Sequence, residues 1–290
     1  MTIEQKYQTG IGTSNADSIT LLGKDLASEI LGKVSFGDLA FWLIAKRRPS
    51  AGELVIFEAV LASLADHGFT PTAIAARLTY TSAPDSLQGA LAAGLLGGGS
   101  RFLGVTEDCA MFLNQHIKAL ANIPTTEAGW DEVAKNVVIS TRESKKFVPG
   151  LGHPVHKVQD PRTPVLFALA HEHKTFGNHL NLFEAIGRVH PQILNKTLPL
   201  NGAGVCGAAL ADLGLPMGVL RGVALLARCA GLLGHLVEEQ ENPIGIDVYM
   251  SVDRNIDYQH PRLNSANSRS HSDCNFFVVC YSVHITDNRP

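Results

Sequence analysis

Pro149-Gly150-Leu151-Gly152-His153-Pro154-Val155-His156-Lys157-Val158-Gln159-Asp160-Pro161-Arg162 is the stretch from which this chain is best read. Two glycines one residue apart let the backbone come close to a ligand. His153 can give or take a proton, and Lys157 and Arg162 offer cations to a phosphate or carboxylate. Such a loop suits an anionic acid or a coenzyme A thioester. The same residues also suit an ordinary connection between helices, in which Asp160-Pro161-Arg162 simply opens the next helix, proline being favoured in a first turn.

On both sides of this loop apolar residues recur with helical period. Leu22, Leu26, Ile30 and Leu31 predict one helix, and Leu54, Phe57, Val60, Leu61 and Leu64 predict a second that ends near His67-Gly68. Further helices are expected over about 72–80, 84–96, 105–120, 129–146, 163–174, 178–190, 205–213 and 217–240. Convincing period-2 alternation is missing from the first 260 residues, so the expected class is all-α. Gly97-Gly98-Gly99, Asn201-Gly202-Ala203-Gly204 and Pro243-Ile244-Gly245 punctuate the helices as loops, where chemistry is expected. Gly202 and Gly204 follow no evident strand and so form no dinucleotide fingerprint.

With 290 residues, 45% of them hydrophobic, the chain can bury a sizeable core without metals or disulfides. A net charge of -3, from 24 basic and 27 acidic side chains, gives no bulk field for nucleic acid or a membrane surface, so small-molecule partners are expected. The cysteines, Cys109, Cys206, Cys229, Cys274 and Cys280, are odd in number and widely spaced, and read as reduced thiols of a cytoplasmic protein with no metal site. The N-terminus has neither the basic nor the apolar region of a secretion signal. The longest apolar stretch, 219–237, is interrupted by Arg221, Arg228 and His235 and is expected to be a buried helix. Residues 259–273 are polar and expected to be poorly ordered, whereas 275–284 are apolar and β-prone, so 259–290 read as an atypical tail.

Two further residues stand out by context. His67, in Asp66-His67-Gly68, lies at an expected helix end, where it can serve as a cap or as a functional group. Arg228 lies among Leu225, Leu226, Leu232 and Leu233, and a cation there needs an anion: a ligand, or a protein partner such as Asp212 or Glu238. No Ser-His-Asp order, P-loop or HExxH is present.

The run from Gly150 to Arg162 resembles the G-x-G-H-x-V-x-x-x-x-D-P-R motif of the citrate synthase superfamily. Three further blocks follow the order of that family: Asp66-His67-Gly68, Leu200-Asn201-Gly202-Ala203-Gly204, and Ala227-Arg228-Cys229-Ala230-Gly231 continuing to His235. The similarity spans roughly 20–258. Length, the Asp66-His67-Gly68 form and Pro243-Ile244-Gly245 resemble the short branch, that of citryl-CoA lyases and the C-terminal module of ATP-citrate lyase. The resemblance implies a citrate synthase-like fold over 1–258, with a large helical domain built from both ends and a small inserted one at roughly 140–225. It also implies a homodimer or higher oligomer.

Carried over residue by residue, the resemblance makes His153 the ligand of the oxaloacetate carbonyl or citryl hydroxyl, and His67 a second contact to that acid. Arg162 and Arg228 match arginines that bind its carboxylates, Lys157 falls near a CoA phosphate, and the Gly150 and Gly152 backbone lies against CoA. The implied chemistry is Claisen condensation of acetyl-CoA with oxaloacetate, or cleavage of citryl-CoA or a related alkylcitryl compound. The coenzyme A thioester is then a cosubstrate, with no tightly bound cofactor. The chain departs from the family at Ala203, which stands where an Asn-Val-Asp-Gly block places the aspartate that acts as base. Loss of a general base typically costs about 10²–10⁴ in rate. Ser100-Arg101-Phe102-Leu103-Gly104 replaces a histidine-bearing block, and Ile246-Asp247 replaces an expected arginine. A second reading therefore stands beside the enzyme: a degenerate homologue that binds CoA esters or partners an active subunit.

Overall fold

Local side-chain caps set several of the helix starts. Ser35 accepts from the Asp38 amide to open α1 (Phe36–Ala45), and a reciprocal Ser50–Glu53 capping box opens α2 (Ala51–Ala65). Thr70 with Pro71 in the first turn opens α3 (Pro71–Ser82), which is followed by α4 (Leu87–Leu96) and α5 (Val105–Lys118). Thr126 caps α6 (Glu127–Glu143); α7 (Arg162–Glu172) and α8 (Asn178–Leu194) come next. Asn201 caps α9 (Gly202–Asp212), and a 3₁₀ turn at Met217–Val219 leads into α10 (Leu220–Glu241) and then α11 (Gly245–Asp253). These elements come from a computed structural model that describes residues 7–259; the expectations for the tail beyond Gln259, with Cys274 and Cys280, lie outside the described residues.

The all-α expectation holds, with two local corrections. The helix expected from Leu22 to Leu31 is instead a small antiparallel meander, β1 (Gly12–Ser14), β2 (Ile19–Leu21) and β3 (Lys24–Asp25), followed by one π-helical turn at Leu26–Ile30. Leu22 and Gly23 both take positive φ in the two-residue turn that pairs Leu21 with Lys24, which matches the right-handed twist of the strands. Strands of two or three residues are too short to show alternation. The sequence reading also passed over α1 and α11.

By its contacts the chain forms two units, Met1–Met250 and Ser251–Pro290, and the core and site described below lie in the first. The core runs from Phe41, Phe57 and Val60 through Leu113, Phe183 and Ile186 to the buried face of α9. A smaller apolar cluster, Ala73, Ala76, Ala90, Leu232 and Leu236, joins α3, α4 and α10. Met217–Glu241 is long and apolar enough to cross a membrane by length and composition alone. Here it packs against α2, α3, α4 and α5, and its buried face carries Arg228 and Glu239. Arg77, fully buried, clamps α3 to that helix: it donates to Glu239 at 2.5 Å, to Glu238 at 2.6 Å and to the Asn242 carbonyl at 3.0 Å. Glu239 also accepts from the Gly245 amide that opens α11. Breaking such a pair on one side leaves a buried charge uncompensated.

Candidate functional site

The loop between α6 and α7 is fixed at its glycine end. Gly150 and Gly152 sit at φ +84° and +94°, in the left-handed region that side chains rarely adopt. A Cβ on Gly150 would lie 3.0 Å from the Gly204 Cα and 2.7 Å from Phe183, so the two backbones approach as only glycines allow. Asn201 donates its backbone N–H to the Gly150 carbonyl at 2.8 Å and its side-chain amide to the Gly152 carbonyl at 2.7 Å. Its Oδ1 accepts from the Gly204 amide at 2.8 Å. One asparagine thus ties the loop to the start of α9. Beyond Gly152 the loop stands out, with Val155 66% and Val158 89% exposed and Lys157 reaching back to the His153 carbonyl at 3.2 Å.

His153 Nδ1 accepts from the backbone N–H groups of Val155 and His156, each at 3.0 Å. A neutral imidazole whose Nδ1 lone pair is used in this way carries its proton on Nε2, so the ring presents a donor. Burial, then the neighbouring His156, with smaller effects of His67 and Arg162, lowers its pKa against the pull of Asp160, which favours that neutral form. The His67 ring lies 5.5 Å from His153 and 5.8 Å from His156, and His153 and His156 are 4.5 Å apart, centroid to centroid.

The C-terminus of α2 gathers the rest. Arg162 donates to the Ser63 carbonyl at 3.2 Å, and Arg228 to the Leu64 carbonyl at 3.3 Å, where the negative end of the helix dipole favours cations. Asp66-His67 follows directly. Arg162 is already neutralised: it grips Asp160 with two side-chain bonds, 3.0 and 2.8 Å, while Asp160 also accepts from the Gly202 amide at 2.6 Å. Burial pushes the Asp160 pKa up, but these bonds outweigh it and hold it far below the usual carboxylate range. Arg228 differs. Only 4% exposed, it bonds neutral oxygens alone, Leu64 and the Thr70 hydroxyl at 3.2 Å, and forms no ion pair among the described residues. Burial lowers its pKa despite the attraction of Asp66. The partners considered for it from sequence are engaged elsewhere, Asp212 with His179 at 2.8 Å and Glu238 with Arg77 at 2.6 Å.

The sequence-predicted residues therefore come together as His67 with His153, and Arg162 and Arg228 on adjacent carbonyls of one helix end, with Gly150, Gly152 and Lys157 on the adjoining loop. Sequence reasoning missed His156, the Asp160 anchor, and the Asp66–His235 pair at 2.9 Å. Only the position of His156 within the quoted loop hinted at it. His67, His153 and His156 bring one ligand atom each within 4.8 Å of one another, the spacing of a metal-binding set. A metal would need a lone pair from His153, yet its Nδ1 already accepts two backbone donors and its Nε2 holds the proton. The donor set fits a polarised carbonyl or hydroxyl better than an ion. Ala203, half-buried in the first turn of α9, offers no titratable group there.

Comparisons with known proteins bear on the family and the fold. Residues 20–246 match the model of the citrate synthase C-terminal domain. The citryl-CoA lyase of Hydrogenobacter thermophilus superposes with a TM-score of 0.78 at 26% identity, over 91% of this chain and 98% of that one. The ATP citrate lyase of Methanothrix soehngenii, solved with citrate and coenzyme A, has a TM-score of 0.73 at 21% identity over 91% of this chain and 43% of its own, a likeness of fold. A probable ATP-citrate synthase subunit 1 of Neurospora crassa is 25% identical over 270 residues, 87% of this chain. The chain spans 36% of that relative's length. By the extent of the match to the family model, this chain belongs to the citrate synthase family.

Proposed function

We propose that the protein makes or breaks a carbon–carbon bond between acetyl-CoA and oxaloacetate, or a related 2-oxo acid, with citryl-CoA or an alkylcitryl thioester on the other side of the reaction. The observation that carries this reading is that one site holds a histidine set as an Nε2–H donor and a buried arginine with no ion pair among the described residues. His153 polarises the ketone carbonyl and stabilises the alkoxide that forms on it. His67 supplies a second polar contact. Arg228, with the remaining donors of Arg162, takes the carboxylates of the acid. The coenzyme A thioester lies along the Gly150 and Gly152 backbone with Lys157 toward its phosphates, and the exposed Val155 and Val158 cover its apolar arm. Closing a small domain of roughly 140–225 over the thioester excludes water during the reaction. A homodimer or larger homo-oligomer forms the working protein, and the exposed apolar positions Leu233 and Val237 of α10 support it.

Ala203 favours a second reading, in which the site binds CoA esters without turning them over. Titration calorimetry with oxaloacetate and with CoA, followed by a thiol-release assay with acetyl-CoA plus oxaloacetate, separates the two. Binding with turnover supports the enzyme, binding without turnover supports the degenerate homologue, and binding of neither ligand overturns both.

A further inference from the structure

Ala203 leaves a Claisen site without a carboxylate in the first turn of α9, and His156 brings an extra imidazole into it. His153 is committed, because its Nδ1 accepts from two backbone amides and its proton therefore sits on Nε2. The His156 ring, half-buried and 4.5 Å from that of His153, makes no hydrogen bond of its own among the described residues. Its backbone amide is one of the two that lock His153, so the segment that fixes the electrophile also fixes this second ring. We propose that His156 is the proton-transfer group of this site, taking over what a carboxylate at position 203 would do. The proposal rests on the reading of the protein as a Claisen or retro-Claisen enzyme.

The protons balance across the triangle. In condensation the unprotonated nitrogen of His156 removes a proton from the α-carbon of the thioester. The electron pair of that C–H bond forms the enolate double bond, and charge passes to the thioester oxygen. The enolate carbon then attacks the ketone carbon of the acid; the new C–C bond forms as the carbonyl π pair moves to oxygen, which takes the Nε2 proton of His153. His156, now protonated, releases its proton to solvent when the site reopens and the Nε2 of His153 takes one back, so one proton leaves carbon and one ends on the hydroxyl. Cleavage runs the same steps backwards. The nitrogens of the cluster lie within 4.8 Å of one another, and the carbons to be joined have to be held about 3–3.5 Å apart. An imidazole suits the task at neutral pH as well as a carboxylate does, because a base is most efficient near its working pH. His67 and His153 face the His156 ring, and Asp160, Arg162 and the Lys157 ammonium act on the adjoining His153.

The test is solvent deuterium exchange into the methyl group of acetyl-CoA, with and without oxaloacetate, alongside condensation, for the wild type, His156→Gln, and His156→Gln combined with Ala203→Asp. His156→Gln should lose about 10²–10⁴-fold in exchange and kcat. Calorimetry should show its oxaloacetate affinity within about threefold of wild type, which also establishes that the site is folded. The double variant should recover at least tenfold. Unchanged exchange and kcat in a folded His156→Gln overturn the proposal and leave the function intact. No exchange and no condensation by the wild type overturn the function and the proposal with it.

Discussion

At the residue scale the least expected feature is Arg228, a buried cation resting on neutral oxygens. It was legible in the sequence, because an arginine inside an apolar helix must be answered by an anion or pay for its burial. Its surroundings were not, since which carboxylates are already engaged depends on contacts far apart in the chain. Replacing Arg228 by Met should weaken oxaloacetate binding about 10- to 100-fold, the loss of charge-assisted bonds, and leave stability unchanged or raised. Calorimetry and a urea melt read both. Asp160 behaves oppositely, because its charge is matched. Asp160→Asn leaves Arg162 half-buried without its partner and should cost about 3 kcal/mol in a urea melt. Its folded pKa lies below the unfolded one, so the contribution is present in full above the usual aspartate range. It is lost as pH falls through that range toward the folded value. The gap in stability between wild type and Asp160→Asn should therefore narrow on acidification, measured as urea midpoints from pH 7 down to pH 3.

At the scale of elements the loop of 149–162 and the start of α9 act as one piece, joined through Asn201 and the contact of Gly150 with Gly204. Gly204→Ala would set a Cβ 2.7 Å from the Gly150 Cα and from Phe183. It should cost about 1–3 kcal/mol in a denaturant melt and weaken CoA binding together with stability. The quoted motif made the loop and its ligand-facing residues readable, and runs of apolar residues at helical spacing between glycine and proline breaks found α2 through α10. The three-stranded meander at 12–25 escaped because its strands are two or three residues long. Arg77 and Glu239 were hidden for another reason. One sits among alanines and threonines and the other in a run of acids that resembles a solvated helix end, and only packing reveals that they meet at 2.5 Å.

For the whole molecule, the account makes the site a place where ligand and fold are linked. Oxaloacetate at 100 times its Kd should add about 2.7 kcal/mol of stability, a rise in Tm of about 5–10 °C for a unit of this size. At the same concentration the rise should fall to about half or less in Arg228→Met, and a thermal melt with and without the acid shows it. The family and the helical class follow from sequence and structure together, whereas turnover depends on whether the imidazole cluster can replace what Ala203 lacks. The most direct measurement is the incubation of purified protein with citryl-CoA, following oxaloacetate and acetyl-CoA as they appear. The account predicts that both form in equal amounts and that His153→Ala abolishes their formation. Citryl-CoA that stays intact, while the folded protein binds it, would contradict the enzyme.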